Sequence, residues 1–154
     1  MTPNLTWLVG KRLKDAAKQD YTWSFTFSDG GWIGTESGWR LVTSDGVGVT
    51  SEDHGHAFGL PSPVDAGARV QLAVGARKIE AIRIADRTSD LIVGFEGGVS
   101  LEFLNLSCGY ESWRTQHDSE EVICMGGGQL ATYSNKKKGD PVGTDNGGAA
   151  RRRV

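Results

Sequence analysis

The strongest constraint on the fold is an alternation of apolar and polar residues. It occurs in two stretches of the chain, and each stretch contains a pair of adjacent glycines. The apolar positions are Tyr21, Trp23, Phe25 and Phe27 in the first stretch, and Leu91, Val93, Phe95, Val99, Leu101 and Phe103 in the second. Because successive side chains of a strand point to opposite faces, this pattern predicts strands with one buried face. The pairs Gly30-Gly31 and Gly97-Gly98 can adopt the positive φ angles that tight hairpins require.

Both stretches belong to a degenerate duplication. A Val-Gly pair opens each unit, at Val9 and at Val74, and a mixed strand precedes each alternating stretch. We therefore predict pseudo-repeats over about residues 8–44 and 73–105 that form antiparallel sheets. Further strands are predicted at 39–43, 78–84, 121–125 and 129–133, and a glycine turn at 126–128 joins the last two.

One short helix is predicted to connect the two units. Residues 63–74 follow Ser62 as a possible N-cap, begin with Pro63 and end just before Gly75. Residues 11–18 fit either a helix or a strand. The chain has 22 glycines in 154 residues, about twice the usual share, which argues against a helical bundle. The predicted class is mainly β (α+β), in a single domain over residues 1–134.

The charge is distributed unevenly along the chain. Residues 135–154 carry six basic and two acidic side chains, a net charge of +4, whereas residues 1–134 carry 11 basic and 17 acidic, a net charge of −6. The terminal segment has few large apolar residues, so we predict a disordered basic tail. An acidic domain is not typical of nucleic-acid binding, which we expect at most weakly and through the tail.

Other functional classes lack their sequence signals. No apolar run is long enough to cross a membrane, and no secretory signal pattern is present, so we expect a cytoplasmic protein. The two cysteines, Cys108 and Cys124, have no zinc-type spacing and are expected to be reduced thiols, although a bridge between them remains open. No nucleophile elbow and no phosphate loop occur, and we expect no cofactor.

A group of aromatic and charged residues predicts a protein contact. Tyr110, Glu111, Trp113 and Arg114 lie within five residues, and they include the residue types enriched in interface hot spots. Two more tryptophans, Trp32 and Trp39, bracket a polar turn and could form a second contact patch. For all six residues, core or edge packing is the open alternative.

A histidine-rich loop supplies a different candidate site. Asp53, His54 and His56 could hold a divalent metal or act as acid and base. Two imidazoles are too few for a catalytic zinc site, which needs about three protein ligands. The third ligand would come from His117 or Asp118, far away in the sequence.

Several short motifs resemble a family of small, uncharacterised, mostly actinobacterial proteins. The motifs are Val9-Gly10-Lys11, Phe27-Ser28-Asp29-Gly30, Trp39-Arg40-Leu41, Val74-Gly75, Tyr110-Glu111-Ser112-Trp113 and Gly127-Gly128-Gln129-Leu130-Ala131. The resemblance covers about residues 7–133 and implies no catalytic residue. The chain departs from a strict repeat at Ala76, which takes the place of Lys11, and at the loop around His54, which has no counterpart in the second unit.

These observations favour a non-enzymatic interaction or inhibitor protein, immunity-like or encoded by a mobile element. It would bind a protein partner, possibly a basic one, through an acidic β surface that bears aromatic residues. One alternative is a small metal-dependent hydrolytic enzyme that uses the loop of Asp53, His54 and His56. A second alternative is a structural or assembly subunit that packs through its strand edges.

Overall fold

The structure is a computed structural model that describes residues 3–134. In that range the helix α1 spans Ala66–Val74, and short 3-10 turns span Thr6–Leu8, Ser51–Asp53 and Gly126–Gly128. The eleven strands are β1 (Leu13–Gln19), β2 (Thr22–Phe27), β3 (Trp32–Thr35), β4 (Trp39–Thr43), β5 (Gly46–Thr50), β6 (Ile79–Ile84), β7 (Leu91–Phe95), β8 (Val99–Phe103), β9 (Trp113–His117), β10 (Glu120–Cys124) and β11 (Leu130–Ser134). The predicted mainly β class with one short helix is confirmed. The tail predicted at 135–154 lies outside the described residues.

The described strands form two antiparallel sheets. Each sheet contains strands from the N-terminal half of the chain (β1–β5) and from the C-terminal half (β6–β11). Sheet A has the order β1-β2-β3-β9-β10-β11, and sheet B has the order β5-β4-β8-β7-β6. Each sheet therefore combines a three-stranded meander from one half with strands from the other half. The two halves meet where β3 pairs with β9 and where β4 pairs with β8.

The two meanders match in register as well as in order. In β1 a bulge follows Leu13, which pairs with Phe27, and in β6 a bulge follows Ile79, which pairs with Phe95. The correspondence continues beyond the predicted pseudo-repeats, because the pair β4-β5 takes the same place beside one meander that β9-β10 takes beside the other. Equivalent positions in the two halves can therefore be compared directly.

The core fills the space between the inner faces of the two sheets. Phe25 in sheet A makes edge-to-face contacts with Trp39 and Phe103 of sheet B, at centroid distances of 5.2 and 4.9 Å. The alternating burial of β2, β7 and β8 shows that their apolar positions all face this layer. Burial of aromatic side chains on this scale is the main stabilising contribution in a domain of this size.

Helix α1 lies against β1, at one edge of sheet A. Gly67 has no room for a Cβ atom because the Ala16 carbonyl group lies against it. The Gln71 side chain donates a hydrogen bond to the Lys14 carbonyl oxygen at 3.0 Å. The helix thus covers a strand edge that would otherwise be open to pairing with another chain.

The predicted start of this helix, with Ser62 as its N-cap, is wrong. The observed N-cap is Asp65, whose Oδ1 accepts a hydrogen bond from the Ala68 backbone N–H at 3.1 Å. The preceding residue, Val64, donates its backbone N–H to the His56 carbonyl oxygen, which holds it in the loop and outside the helix. The end of the helix lies at the predicted residue.

Three other local differences appear. The ambiguous segment 11–18 contains strand β1, and strands β5 and β9 were not predicted. Tyr21 lies in the turn between β1 and β2 and is 84% exposed, so it does not belong to the buried face of β2.

No helix between residues 3 and 134 is long and apolar enough to span a bilayer.

Candidate functional site

A groove of about 890 Å³ lies on the outer face of sheet A, where β3 and β9 meet the loop before β9. The residues that carry its chemistry are Trp32, Glu36, Tyr110, Glu111, Ser112 and Arg114. On β9 the neighbours Trp113 and Thr115 point into the core, so Arg114 between them points outward. The groove therefore lies on the face opposite the hydrophobic core.

The floor of the groove depends on a glycine. Gly34 pairs with Arg114 across the strands, and the Trp32 ring lies over it. A Cβ atom on Gly34 would lie 2.8 Å from Trp32 Cζ3 and 3.7 Å from Arg114 Cγ. Because glycine has no Cβ atom, the Trp32 indole can pack directly against the backbone of the strand.

The equivalent position in sheet B shows how the groove arises. There Glu102 pairs with Arg40 across the strands, and Arg40 Nε donates to Glu102 Oε1 at 2.7 Å. In sheet A, Gly34 takes the place of Glu102, so Arg114 has no carboxylate directly opposite. The arginine of sheet B therefore pairs directly across the strands, whereas the arginine of sheet A lies opposite a glycine at the groove floor.

The Arg114 guanidinium instead lies between two carboxylates on its own side of the sheet. Its Nη2 is 3.4 Å from Glu111 Oε2, and its Nη1 is 4.0 Å from Glu121 Oε1. Its side chain is 48% exposed, so each of these ion pairs is worth little on its own.

The loop that forms the groove wall has a well-bonded backbone and exposed side chains. Ser107 Oγ accepts hydrogen bonds from the backbone N–H groups of Tyr110 and Gly109, at 2.9 and 3.1 Å. Gly126 has no room for a Cβ atom because the Gly109 backbone lies against it. Yet Tyr110 is 81% exposed and Leu106 is 69% exposed. The loop presents apolar surface to solvent from a fixed backbone.

Ser112 lies at the inner end of the groove. It is only 8% exposed, and its Oγ lies beside the Cys124 thiol without a hydrogen bond of acceptable geometry. Its carbonyl oxygen accepts a hydrogen bond from Thr35 Oγ1 at 3.3 Å. The hydroxyl therefore faces the buried thiol beneath the groove.

Four of the six residues predicted to make contacts line this groove. Trp32, Tyr110, Glu111 and Arg114 are brought together from patches that are about 80 residues apart in the sequence. Trp39 and Trp113 are buried in the core with 1% and 0% exposure, so their assignment to a contact surface is corrected. Both occupy the inward position next to an outward arginine, where the alternation of the strand buries them.

Trp39 and Trp113 are equivalent residues, each at the start of the strand that joins the two halves. Trp113 Nε1 donates a hydrogen bond to the Ser89 carbonyl oxygen at 2.8 Å, whereas Trp39 Nε1 is buried without a partner among the described residues. Both are core residues, and neither lines the groove.

The loop of Asp53, His54 and His56 has a local structural role. Asp53 Oδ2 accepts the Thr50 backbone N–H at 2.9 Å, and His54 Nδ1 accepts the Ala66 backbone N–H at 3.1 Å. His54 also packs edge-to-face on Trp23 at 4.9 Å, while His56 is exposed. Within the range 3–134, no three His, Cys, Asp or Glu side chains are grouped as metal ligands.

His117, named above as a possible third ligand, belongs to a separate cluster that was not anticipated. Its Nε2 lies 3.0 Å from Asp29 Oδ2, and the Trp7 ring stacks on its imidazole at 4.4 Å and 5°. Lys11 Nζ lies 3.2 Å from the same carboxylate oxygen. Burial acts to raise the pKa of Asp29, but the hydrogen bond from the Gly31 backbone N–H and the Lys11 ammonium outweigh it and lower the pKa.

The two cysteines are free and differ in environment. Cys124 is buried, and burial raises the pKa of its thiol, which disfavours the reactive thiolate. Cys108 is exposed in the loop before β9. The Cys124 Sγ lies 3.8 Å from the carbonyl oxygens of Ser89 and Met125.

Comparison with known protein families, with curated proteins and with solved structures found no match for this chain. The resemblance to small actinobacterial proteins therefore stays a prediction. The groove on sheet A is the surface where four of the predicted contact residues converge.

Proposed function

We propose that this protein is a non-enzymatic interaction module, of the inhibitor or immunity type, that binds a protein partner through the groove on sheet A. The observation that carries the proposal is the convergence of Trp32, Tyr110 and Arg114 around one concave surface. Tryptophan, tyrosine and arginine are the residues that most often dominate the binding free energy of protein interfaces.

The wall of the groove has the properties expected of a preorganised binding surface. Tyr110 and Leu106 keep most of their apolar surface in water and add little to the core. Exposed apolar surface next to polar groups is typical of interaction sites. Because the Ser107 hydrogen bonds already fix the loop backbone, binding would cost little further backbone entropy.

The charge of the domain supports the choice of a protein partner. Residues 1–134 carry a net charge of −6, which would repel nucleic acids and attract a basic protein. Attraction of this kind raises association rates and helps to select the partner. An inhibitor of a basic effector protein would use both effects.

Photo-crosslinking in the native host tests the proposal. Benzoylphenylalanine replaces Tyr110 in the groove or, as a matched control, Leu72, which is 90% exposed on α1. We expect one discrete crosslinked protein from position 110 and none from position 72. Untagged wild type should compete for that crosslink, whereas the double variant Trp32→Ala/Tyr110→Ala should not.

Equal competition by wild type and by the double variant would show that the groove does not bind the partner. A toxin, defence or phage gene beside this gene would supply the candidate to test with purified components. Direct binding of that candidate, lost on the same double substitution, is the decisive measurement.

A further inference from the structure

We propose that the groove recognises an arginine or lysine side chain carried on an extended segment of the partner. This inference rests on the proposed function and names the chemistry of the occupant. The cation would lie between the Glu36 and Glu111 carboxylates, against the faces of Trp32 and Tyr110.

The balance of charge in the groove favours a cationic occupant. Its lining contains two carboxylates, Glu36 and Glu111, and one cation, Arg114. Arg114 already lies between Glu111 and Glu121 at 3.4 and 4.0 Å. Glu36 has no cation within ion-pair distance among residues 3–134 and accepts only a hydrogen bond from Thr22 Oγ1 at 3.3 Å. An incoming cation would therefore find an unneutralised carboxylate.

The aromatic side chains fit the same ligand chemistry. Trp32 and Tyr110 both line the groove, and a guanidinium or ammonium group that lies over an indole or phenol ring is attracted by its π electrons. Guanidinium groups in particular stack on aromatic rings while their edge N–H groups bond carboxylates. Rings and carboxylates in one groove meet both requirements.

The size of the groove indicates that more than one side chain enters. A volume of about 890 Å³ lies at the upper end of ligand sites, which typically enclose about 300–1,000 Å³. Leu106 and Met125 supply apolar lining beside the polar groups. An extended segment with a basic residue next to an aliphatic residue matches this combination.

An anionic segment would be disfavoured at the same place. It would meet the Glu36 and Glu111 carboxylates, and the carboxylates of Glu111 and Glu121 already offset part of the positive charge of Arg114. The acidic excess over residues 1–134 adds repulsion at longer range.

The test is a ¹⁵N NMR titration of the full chain with three matched peptides. The sequence acetyl-Gly-Ser-X-Leu-Ser-Gly-amide carries arginine, its uncharged isostere citrulline, or glutamate at X. We expect the arginine peptide to shift the amide signals of Gly34, Tyr110 and Ser112 and to bind about tenfold more tightly than the citrulline peptide. The glutamate peptide should cause no shifts.

Matched variants test whether the Glu36 and Glu111 carboxylates bind the arginine side chain of the peptide. Glu36→Gln/Glu111→Gln should abolish the preference of arginine over citrulline, whereas Glu80→Gln, an exposed acid on β6, should leave it unchanged. The amide spectrum of each variant confirms that the fold is intact.

The outcomes separate this inference from the proposed function. Equal binding of the arginine and citrulline peptides, or no shift in the groove with any peptide, overturns the cation inference. It leaves the proposed function standing if the groove variants still lose the crosslinked partner. Retention of that partner by the groove variants overturns the proposed function whatever the peptides do.

Discussion

Gly34 and Arg114 face each other across β3 and β9, at the place where Glu102 and Arg40 face each other in the other sheet. In sheet B the arginine pairs with the carboxylate directly across the strands, at 2.7 Å. In sheet A the residue opposite the arginine is a glycine beneath the Trp32 ring, and the arginine lies near Glu111 and Glu121 instead. This single difference between equivalent positions connects the pseudo-symmetry of the fold to its candidate site.

Replacement of the floor glycine should close the groove with little loss of stability. In Gly34→Ala the new methyl group lies against the Trp32 ring, which is only partly buried and can move aside. We expect the free energy of unfolding to change by no more than about 1 kcal/mol, while binding of the crosslinked partner falls at least several-fold. Gly94→Ala on β7, where a Cβ atom meets only ordinary contacts, is the control. Unchanged partner binding in Gly34→Ala would contradict the assigned floor.

The two buried tryptophans should differ in their sensitivity to loss of the indole N–H. Trp113→Phe removes the donor to the Ser89 carbonyl oxygen, whereas Trp39→Phe removes an N–H with no partner. We expect Trp113→Phe to destabilise the protein by about 1 kcal/mol more than Trp39→Phe, because it loses a buried hydrogen bond as well as volume. Urea denaturation of both variants measures the difference. Equal losses would show that the hydrogen bond contributes nothing net.

Substitution of Tyr110 should separate binding from stability. Because the ring is 81% exposed, Tyr110→Ala should change the free energy of unfolding by less than about 0.5 kcal/mol. The same substitution should strongly weaken partner binding. Thermal denaturation and the crosslinking competition measure the two effects. A large loss of stability would mean that Tyr110 serves mainly to hold the loop.

The Asp29 cluster should stabilise the protein in a pH-dependent way. The pKa of Asp29 is lowered in the folded state by the Gly31 backbone N–H and by Lys11, against the opposing effect of burial. Since the unfolded chain then binds more protons, the contribution is fully present above the ordinary aspartate pKa of about 3.9 and is lost as the pH falls through the folded value. Lys11 Nζ and His117 Nε2 both lie close to this carboxylate, at 3.2 and 3.0 Å from Oδ2.

The measurement compares wild type with Asp29→Asn by urea denaturation at several pH values. We expect the stability gap between them to be constant just above about pH 5 and to shrink below about pH 4. Asp45→Asn, at an exposed turn, is the control. A stability gap that widens as the pH falls would show that folding does not lower the pKa of Asp29.

The histidine loop should respond to substitution as a structural element. His54→Ala removes the acceptor of the Ala66 backbone N–H and the contact with Trp23, and should cost about 1–3 kcal/mol. His56→Ala should be nearly neutral because His56 is exposed. Added zinc should not change the melting temperature of wild type. A zinc-dependent rise that both substitutions abolish would revive the metal-dependent alternative.

Much of the fold could be predicted because its signals are local. The alternation in β2 and the glycine turns at Gly30 and Gly97 depend only on neighbouring residues. Strand β9 was not predicted because it is short and its outward positions are charged or polar. A clue did exist: the pairs Glu36-Ser37 and Trp39-Arg40 recur as residues 111–114, and they mark equivalent strands.

The candidate site could be predicted only in part. Residue types identified Trp32, Tyr110, Glu111 and Arg114, but the same reasoning also selected Trp39 and Trp113, which are core residues. Composition cannot tell which face of a short strand is buried when both faces carry large side chains. The His117 cluster was missed because its members come from three distant segments.

The sequence by itself determined the class of the fold, because alternation and turn glycines act over a few residues and leave a legible pattern. Only the tertiary structure decided how the two halves exchange strands between sheets, and therefore that Gly34 would lie opposite Arg114. Pairing between strands that are some 80 residues apart depends on how all the apolar faces can be buried at once. The groove forms only when these distant strands pair, so no single segment of the sequence predicts it.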